Sequence, residues 1–283
     1  MNTLYRATGT SKQAFHQYLD RKKQSYVDGL QILLIVHELR EAHPTMGCRD
    51  MYHLLEPEKI GRDAFERLCK SHGLGSQRPV NYQRTTDSSG VIRFDNLVLA
   101  IVLTRIDQVW VSDITYFRVS GRFYYITFIM DAYSRRILGH CASGRLFTEL
   151  TTIPALEMAL AIRKGRDLKG LIIHSDGGGQ YFDDYFLVLT KAAGILNSMC
   201  EYPWENGKAE RINGVIKNNY LKHRSISTFE QLVTNLDRAV HLYNLEKPHK
   251  ALKRVSPITF ENMYIGDGKT SDGDKSATEY KKP

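Results

Sequence analysis

The 283-residue sequence is poor in cysteine and has no long hydrophobic run. Its 4 cysteines stand far apart without a CxxC pair, which excludes a compact zinc ribbon and argues against a disulfide scaffold. No stretch approaches the ~20 apolar residues that a membrane helix requires, so we expect no membrane contact. The first residues, MNTLYRATGTSKQ, lack the apolar segment of a secretory signal. We therefore expect a cytoplasmic protein.

Acidic residues are fewer than basic residues. The chain has 31 Asp and Glu and 39 Lys and Arg, which gives a net charge of +8. The excess lies in residues 1–90 and 206–283, whereas residues 91–205 are balanced. A neutral middle between basic ends suggests a polyanionic partner such as nucleic acid. Many globular proteins are mildly basic, so charge alone leaves that alternative open.

The N-terminal part of the chain is predicted to be helical. Ser11 is expected to cap a first helix after a break at Thr8–Thr10, and residues 28–41 have apolar residues at helical spacing. MGCRDMYHLL and RDAFERLCKSHGL are expected to form two more helices, with Gly73 ending the second. Residues 1–75 thus contain two candidate helix-turn-helix units that suit DNA binding, with a plain helical bundle as the alternative. Residues 76–105 are predicted to be a linker.

A different pattern begins after the linker. WVSDITYF, RFYYITFIMD and RRILGHCAS are rich in β-branched and aromatic residues and predict three antiparallel strands, with Trp110 packed beneath the sheet. Helices predicted over 146–164, 183–193 and 207–222 alternate with two short strands, which predicts a mixed five-stranded α/β sheet with flanking helices. The predicted core spans 106–225, a helical extension 226–265 and a disordered polar tail 266–283.

Three acidic residues are candidates for a catalytic metal site. Asp113 lies in the middle of a predicted strand, Asp176 follows the strand LIIHS and precedes three glycines, and Glu210 lies in the first turn of a basic helix. Such carboxylates repel one another unless a cation neutralises them, and oxygen-only ligands favour Mg²⁺ or Mn²⁺. Two such ions would support phosphoryl transfer. Each carboxylate alone also has an ordinary explanation as a loop, strand-edge or helix-terminus residue.

The chain resembles insertion-sequence transposases that share the retroviral-integrase core, and most closely the second reading frame (OrfB) of the IS-three group. The resemblance rests on WVSDITYF, DAYSRRILGH, IIHSDGGGQY, ENGKAERINGVIKNNYL and YNLEKPHKALKRVSPITFE. It implies a ribonuclease-H-like fold in which Asp113, Asp176 and Glu210 form a DDE triad that binds two Mg²⁺ ions. Family members cleave the 3′ end of the element and join it to target DNA through a circular intermediate.

The resemblance also implies partners. These are double-stranded DNA with terminal inverted repeats, target DNA, a homodimer or larger synaptic complex, and in some members a protein from the first reading frame. It places such a protein at the bacterial nucleoid. The alternatives are a helix-turn-helix DNA-binding protein with a decayed core, and a nuclease of the same superfamily that cleaves without joining.

The sequence departs from the family pattern around the triad. Gly177 and Gly179 replace the usual Arg and Ser, which removes one phosphate contact. Lys247 replaces an Arg and loses its bidentate fork. The segment EYPWEN replaces the usual loop, so Glu201 and Glu205 stand near the third ligand position.

Several side chains are candidates for DNA contact. The candidates include the cations Lys208, Arg211, Lys217 and Lys222. Of these, Lys208, Arg211 and Lys222 are predicted to share one basic helix face, with a solvated surface as the alternative. Tyr202 and Trp204 are predicted to stack on a base, although burial suits Trp204 equally well. His174 is expected either to contact phosphate or to pack under its loop. The remaining candidates are Gln180, Asn213, Arg49 (in the place of a family arginine motif), His249 and Lys250.

Overall fold

The computed structural model describes Gly9 and residues 11–75 and 94–266. Backbone contacts divide the chain into two compact units, residues 1–78 and 79–283. In the described part of the chain, no helix combines the length and the apolar character that crossing a membrane requires. The 4 cysteines are all free thiols.

Within residues 11–75, the first unit contains three α-helices. Helix α1 spans Lys12–Ala42, α2 spans Cys48–Leu55 and α3 spans Arg62–Ser71. Their small core joins the C-terminal half of α1 to α2 and α3. Its buried members are Leu33, Val36, Met46, Cys48, Met51, Phe65, Cys69 and Leu74.

Helix α1 differs from the prediction, because one continuous helix replaces two shorter ones. Ser11 does cap it, since its hydroxyl accepts from the Ala14 amide at 3.1 Å. No proline interrupts the stretch between the two predicted segments, and a single glycine, Gly29, is tolerated within a helix. The first predicted helix-turn-helix unit has its turn at Thr8–Thr10, and its initial helix, Thr8 and Thr10 lie outside the described residues. Helices α2 and α3 agree with the second unit, with Gly73 at a φ of 70° after α3.

The second unit is built on a five-stranded mixed sheet in the order β3-β2-β1-β4-β5. The strands span Val109–Val119, Arg122–Asp131, Ile137–Ser143, Ile172–Ser175 and Leu196–Met199 in chain order. The first three pair antiparallel, whereas β4 runs parallel to both β1 and β5. This mixed sheet with its flanking helices is the predicted fold class, a ribonuclease-H-like α/β fold.

Among residues 94–266, five α-helices flank the sheet. They are α4 (Thr152–Ile162), α5 (Asp184–Ala192), α6 (Gly207–Asn219), α7 (Phe229–Leu245) and α8 (Pro257–Gly266). Helix α4 begins later than predicted, because a separate 3₁₀ turn occupies Thr148–Leu150. Residues 94–105, which were expected to be linker, pack on this unit instead and bury Val98 and Leu103. The core includes Trp110, which is fully buried as predicted.

A buried ion network fastens helix α8 to the sheet. The Arg163 guanidinium lies 2.8 Å from Asp107 and 2.5 Å from Glu261, and all three side chains are nearly inaccessible to solvent. Arg136 also pairs with Glu261 at 2.7 Å. Because an isolated buried charge is costly, this network makes the C-terminal helix an integral part of the core.

Candidate active site

The register of two parallel strands brings two aspartates together. Val111 on β1 pairs with His174 on β4. Asp113 follows Val111 by two residues, and Asp176 follows His174 by two residues. Both carboxylates therefore lie at the same level and on the same face of the sheet. Neighbouring strands are about 4.8 Å apart, and the two groups are therefore close neighbours. The structure thus brings together the first two predicted site residues.

Each of these carboxylates is energetically unfavourable when ionised. Burial, then the charge of Asp176, and to a smaller extent that of Glu210, raise the pKa of Asp113 well above its ordinary value. Burial likewise raises the pKa of Asp176. Two neighbouring, partly buried like charges destabilise each other, and a bound cation would relieve that repulsion.

Hydrogen bonds hold both carboxylates in place. Asp113 accepts from the Ile114 amide at 2.9 Å and from Nδ2 of Asn213 at 2.6 Å. Asp176 accepts from the Gly178 amide at 3.2 Å. A Cβ at residue 178 would lie 3.1 Å from Oδ1 of Asp176, closer than nearly all natural contacts, so glycine permits this approach.

A buried tyrosine–serine pair lies at the same level of β1, with Ser112 pointing to the face opposite Asp113. The Tyr181 hydroxyl lies 2.8 Å from the Ser112 hydroxyl, which donates to the Phe128 carbonyl at 2.8 Å. Burial, then the charges of Asp176 and Asp113, raise the pKa of Tyr181 well above its ordinary value. Tyr181 therefore stays protonated and can only act as a neutral hydrogen-bonding support.

Glu210 stands on α6, at the rim of the site. It lies in the first turn of the helix, is exposed, and is close enough to Asp113 to raise that pKa. Within residues 11–75 and 94–266, no three ligand side chains form a group that could hold a metal ion. An open groove runs along the same face of α6. Its lining includes Gly207, Glu210, Arg211, Gly214 and Asn218.

Glu205, one of the two alternative third ligands, has a structural role. Its Oε2 accepts from the amides of Glu201 and Tyr202 at 2.8 and 3.1 Å and from the Asn96 side chain at 2.9 Å. Next to it, Nδ2 of Asn206 donates to the Ser112 carbonyl at 2.9 Å. Asn206 lies in the ENGKAE segment that carries the family resemblance, but it was not among the predicted site residues.

Two of the predicted DNA contacts are buried, and two others are partly exposed and hold contacts within the protein. His174 is fully buried and hydrogen-bonds Ser198 at 3.0 Å, so it packs under its loop. Asn213 is buried and faces Asp113. The other two are only partly exposed: the Lys217 ammonium donates to the Thr115 hydroxyl at 2.6 Å, and the His249 ring packs edge-on against Tyr243 at 4.7 Å.

The other predicted contacts remain accessible. Gln180 is partly exposed and donates to the Leu146 carbonyl at 3.2 Å. Lys208 is half-buried, and burial followed by the charge of Arg135 lowers its pKa to about 8. In the first unit, the exposed Arg49 pairs with Glu66. Arg211, Lys222, Lys250, Tyr202 and Trp204 are exposed.

Comparison with known proteins identifies the family of this site. Two models of the integrase core domain match residues 104–202 and 195–257. The 31 kDa protein of insertion element IS600 from Shigella sonnei is 29% identical over 88% of this chain and 92% of its own length. A Mycobacterium tuberculosis protein assigned as the transposase of insertion sequence element IS986/IS6110 is 30% identical over 77% of this chain and 82% of its own length.

The chain belongs to the insertion-sequence transposases with a DDE integrase-type core. Integrase-type cores use divalent metal ions, and these enzymes bind DNA and act as oligomeric assemblies. Among solved structures, the HTLV-2 integrase catalytic core domain in complex with magnesium is 19% identical with a TM-score of 0.44, over 54% of this chain and 95% of that one. A simian T-cell lymphotropic virus intasome is 18% identical with a TM-score of 0.45, over 83% and 75%.

Proposed function

We propose that this transposase cleaves the 3′ end of its element and joins that end to target DNA, with Asp113, Asp176 and Glu210 as its catalytic carboxylates. The observation that carries the proposal is the level placement of Asp113 on β1 and Asp176 directly after the adjacent parallel strand β4. Burial and the charge of Asp176 raise the pKa of Asp113, and burial raises the pKa of Asp176. A folded protein retains such an unfavourable pair at a functional site.

The donor set fits hard divalent cations, because the three candidate ligands offer only carboxylate oxygens. Asp113 and Asp176 would hold Mg²⁺ or Mn²⁺, and Glu210 would complete the set from the helix rim. Two ions bound there would activate the attacking oxygen and stabilise the leaving oxygen.

The chain's own residues position the reaction. Asn213 and the Ile114 amide orient the Asp113 carboxylate, and the Gly178 amide orients that of Asp176. In the first step, water attacks a phosphodiester and releases a 3′-hydroxyl. In the second, that hydroxyl attacks a target phosphodiester, so one phosphorus–oxygen bond forms as another breaks.

The groove along α6 is the proposed path of the DNA backbone. Gly207 and Gly214 leave its floor without side chains, and a Cβ at residue 207 would meet no atom within 4 Å. Arg211 lines the same groove as Glu210. A phosphate in the groove would therefore be neutralised by Arg211 while the neighbouring phosphodiester lies at the carboxylates.

A strand-transfer assay tests the proposal. The purified chain is incubated with Mn²⁺ and a labelled duplex that ends in the element's terminal repeat with a free 3′-hydroxyl. Asp176→Asn is the inactive variant, and Glu157→Gln, an exposed carboxylate on α4, is the matched control. We expect joined product from the wild type and the control only.

Other products would contradict the proposal in specific ways. Shortened DNA that is never joined would indicate a nuclease. Binding without any product would indicate a DNA-binding protein with a decayed core. Joining by Asp176→Asn would remove Asp176 from the site.

A further inference from the structure

Two aromatic side chains stack on each other in the segment that precedes α6. The rings of Tyr202 and Trp204 have centroids 4.6 Å apart and planes inclined by 7°. This pair is here called the aromatic platform. We propose, on the basis of the proposed function, that the aromatic platform binds an unpaired base from the DNA end held at the active site. The substrate feature that it recognises is therefore a frayed terminal base pair.

The aromatic platform is tied to both catalytic strands. On one side, the Cys200 amide donates at 3.0 Å to the carbonyl of Ser175, the residue before Asp176. On the other side, Asn206 donates at 2.9 Å to the carbonyl of Ser112, the residue before Asp113. The two anchors fix the segment beside both carboxylates, where the end of a cleaved strand would lie.

The backbone within the segment is also fixed. The Glu205 carboxylate accepts from the amides of Glu201 and Tyr202, and the Glu205 amide donates to the Tyr202 carbonyl at 3.0 Å. Glu205 therefore holds the Tyr202 backbone against the start of α6. A platform held in this way loses little conformational entropy when a ligand stacks on it.

Both rings are available to a ligand. Tyr202 is 44% exposed and Trp204 is 53% exposed. Their mutual stack covers one face of each ring and leaves flat apolar surface in water. Every base has an aromatic face, and stacking on exposed tyrosine or tryptophan is a common mode of single-strand recognition.

The charge beside the aromatic platform favours a base over a phosphate. The Glu201 carboxylate interacts with the Tyr202 hydroxyl and raises the pKa of Tyr202. An anion next to the ring would repel a phosphate group, whereas a neutral base suffers no such penalty. The backbone of the same nucleotide would instead lie toward the cations of α6, which include Arg211.

The two tryptophans of the chain make a direct measurement feasible. Trp110 is fully buried and its indole donates to Asp107 at 3.0 Å, whereas Trp204 is exposed. A base that stacks on Trp204 should quench only the exposed emission. The full chain is titrated in Ca²⁺ with a terminal-repeat duplex whose last pair is mismatched, and with the same duplex carrying an abasic terminal nucleotide. Trp204→Phe serves as the spectroscopic blank.

We expect quenching by the mismatched duplex and none by the abasic one, with an affinity about tenfold higher for the mismatched duplex. Trp204→Ala should abolish that affinity difference, and Trp204→Phe should retain most of it. Tyr185→Ala, which removes a 51% exposed aromatic ring from α5, is the matched control and should behave as wild type.

Equal affinity and equal quenching with both duplexes would overturn the inference. So would a Trp204→Ala variant that still distinguishes them. A parallel strand-transfer assay in Mn²⁺ separates this failure from that of the proposed function: joining by the wild type without a base effect overturns only the aromatic platform. Base-dependent quenching without joining would support the platform and reject the transposition chemistry.

Discussion

The side chain of Asn213 donates a hydrogen bond of 2.6 Å to Oδ2 of Asp113. The Asn213 amide is buried, and its Oδ1 has no hydrogen-bond partner among the described residues. Helix α6 therefore supplies both the exposed Glu210 and a buried amide that orients the carboxylate on β1. Such supporting residues fix the direction in which a ligand oxygen points.

Replacing Asn213 should impair catalysis without unfolding the protein. In Asn213→Ala the Asp113 carboxylate loses its lateral hydrogen bond, and we expect strand transfer to fall about 10- to 100-fold, as for other residues that orient metal ligands. The joining rate is measured in Mn²⁺ together with DNA affinity, which should change less than about threefold. Asn235→Ala, which removes a partly exposed amide from α7, is the control. Equal loss of DNA affinity would assign Asn213 to DNA binding instead.

Local patterns singled out Asp113 and Asp176 one by one, because a charge within a strand and a glycine-flanked aspartate are local signals, and the resemblance to the transposases joined them into one site. Their proximity depends on the register between β1 and β4, which no local pattern specifies. Asn213 was assigned to DNA because a polar residue on a basic helix is normally exposed. Only the packing of α6 on β1 shows that this residue points inward.

Exposure was the hardest property to predict. Burial and base stacking suited Trp204 equally well, because a large aromatic side chain is compatible with both environments. The split of α1 was predicted wrongly for a similar reason, since a polar stretch within a helix resembles a loop when tertiary contacts are unknown. The cap at Ser11 is a local hydrogen bond and was predicted correctly.

Divalent metal should stabilise the wild-type fold. An ion that binds the folded state adds to the free energy of unfolding, so Mg²⁺ or Mn²⁺ should raise the melting temperature over that in chelator. Asp176→Asn should lose this response, whereas the Glu157→Gln control should keep it. Without metal, Asp113→Asn should melt above the wild type near neutral pH, because folding raises the pKa of the Asp113 carboxyl and that shift costs free energy above the ordinary pKa. A wild-type melting temperature unmoved by either metal would contradict this account of the site.

Replacing glutamate by glutamine should impair joining at position 210 and stability at position 205. Glu210→Gln removes a charge from an exposed rim position, so it should abolish joining with little effect on melting. Glu205→Gln weakens a carboxylate that accepts three hydrogen bonds, and we expect a loss of about 1.5–3 kcal/mol in the free energy of unfolding. Joining rates and denaturant unfolding are measured for both variants. Normal joining by Glu210→Gln would reassign the third ligand to Glu205 or Glu201.

Replacing the cationic side chains of α6 by neutral ones should weaken the binding of all DNA sequences to the same extent. Arg211→Gln is expected to lower the slope of log affinity against log salt by about one, as for the loss of one phosphate contact. Lys208→Gln should act in the same direction. Lys191→Gln, on the exposed surface of α5, is the control. An unchanged slope in Arg211→Gln would place the DNA backbone outside the groove.

The buried ion network should make the free energy of unfolding depend on Glu261 of helix α8. Burial works to raise the pKa of Glu261, but hydrogen bonds and charge from Arg163, with further help from Arg136 and Ser134, overcome it and lower that pKa below its ordinary 4.5. Glu261→Gln would leave the buried Arg163 incompletely neutralised and should cost about 3–5 kcal/mol.

The pH dependence of that loss has a definite sign. Because the folded pKa of Glu261 is depressed, its contribution is fully present above the ordinary value and disappears as the pH falls through the folded pKa. The difference in unfolding free energy between wild type and Glu261→Gln should therefore be constant near neutral pH and shrink in acid. Denaturant unfolding at several pH values measures it. A difference that grows in acid would show that the network is not held by the Glu261 charge.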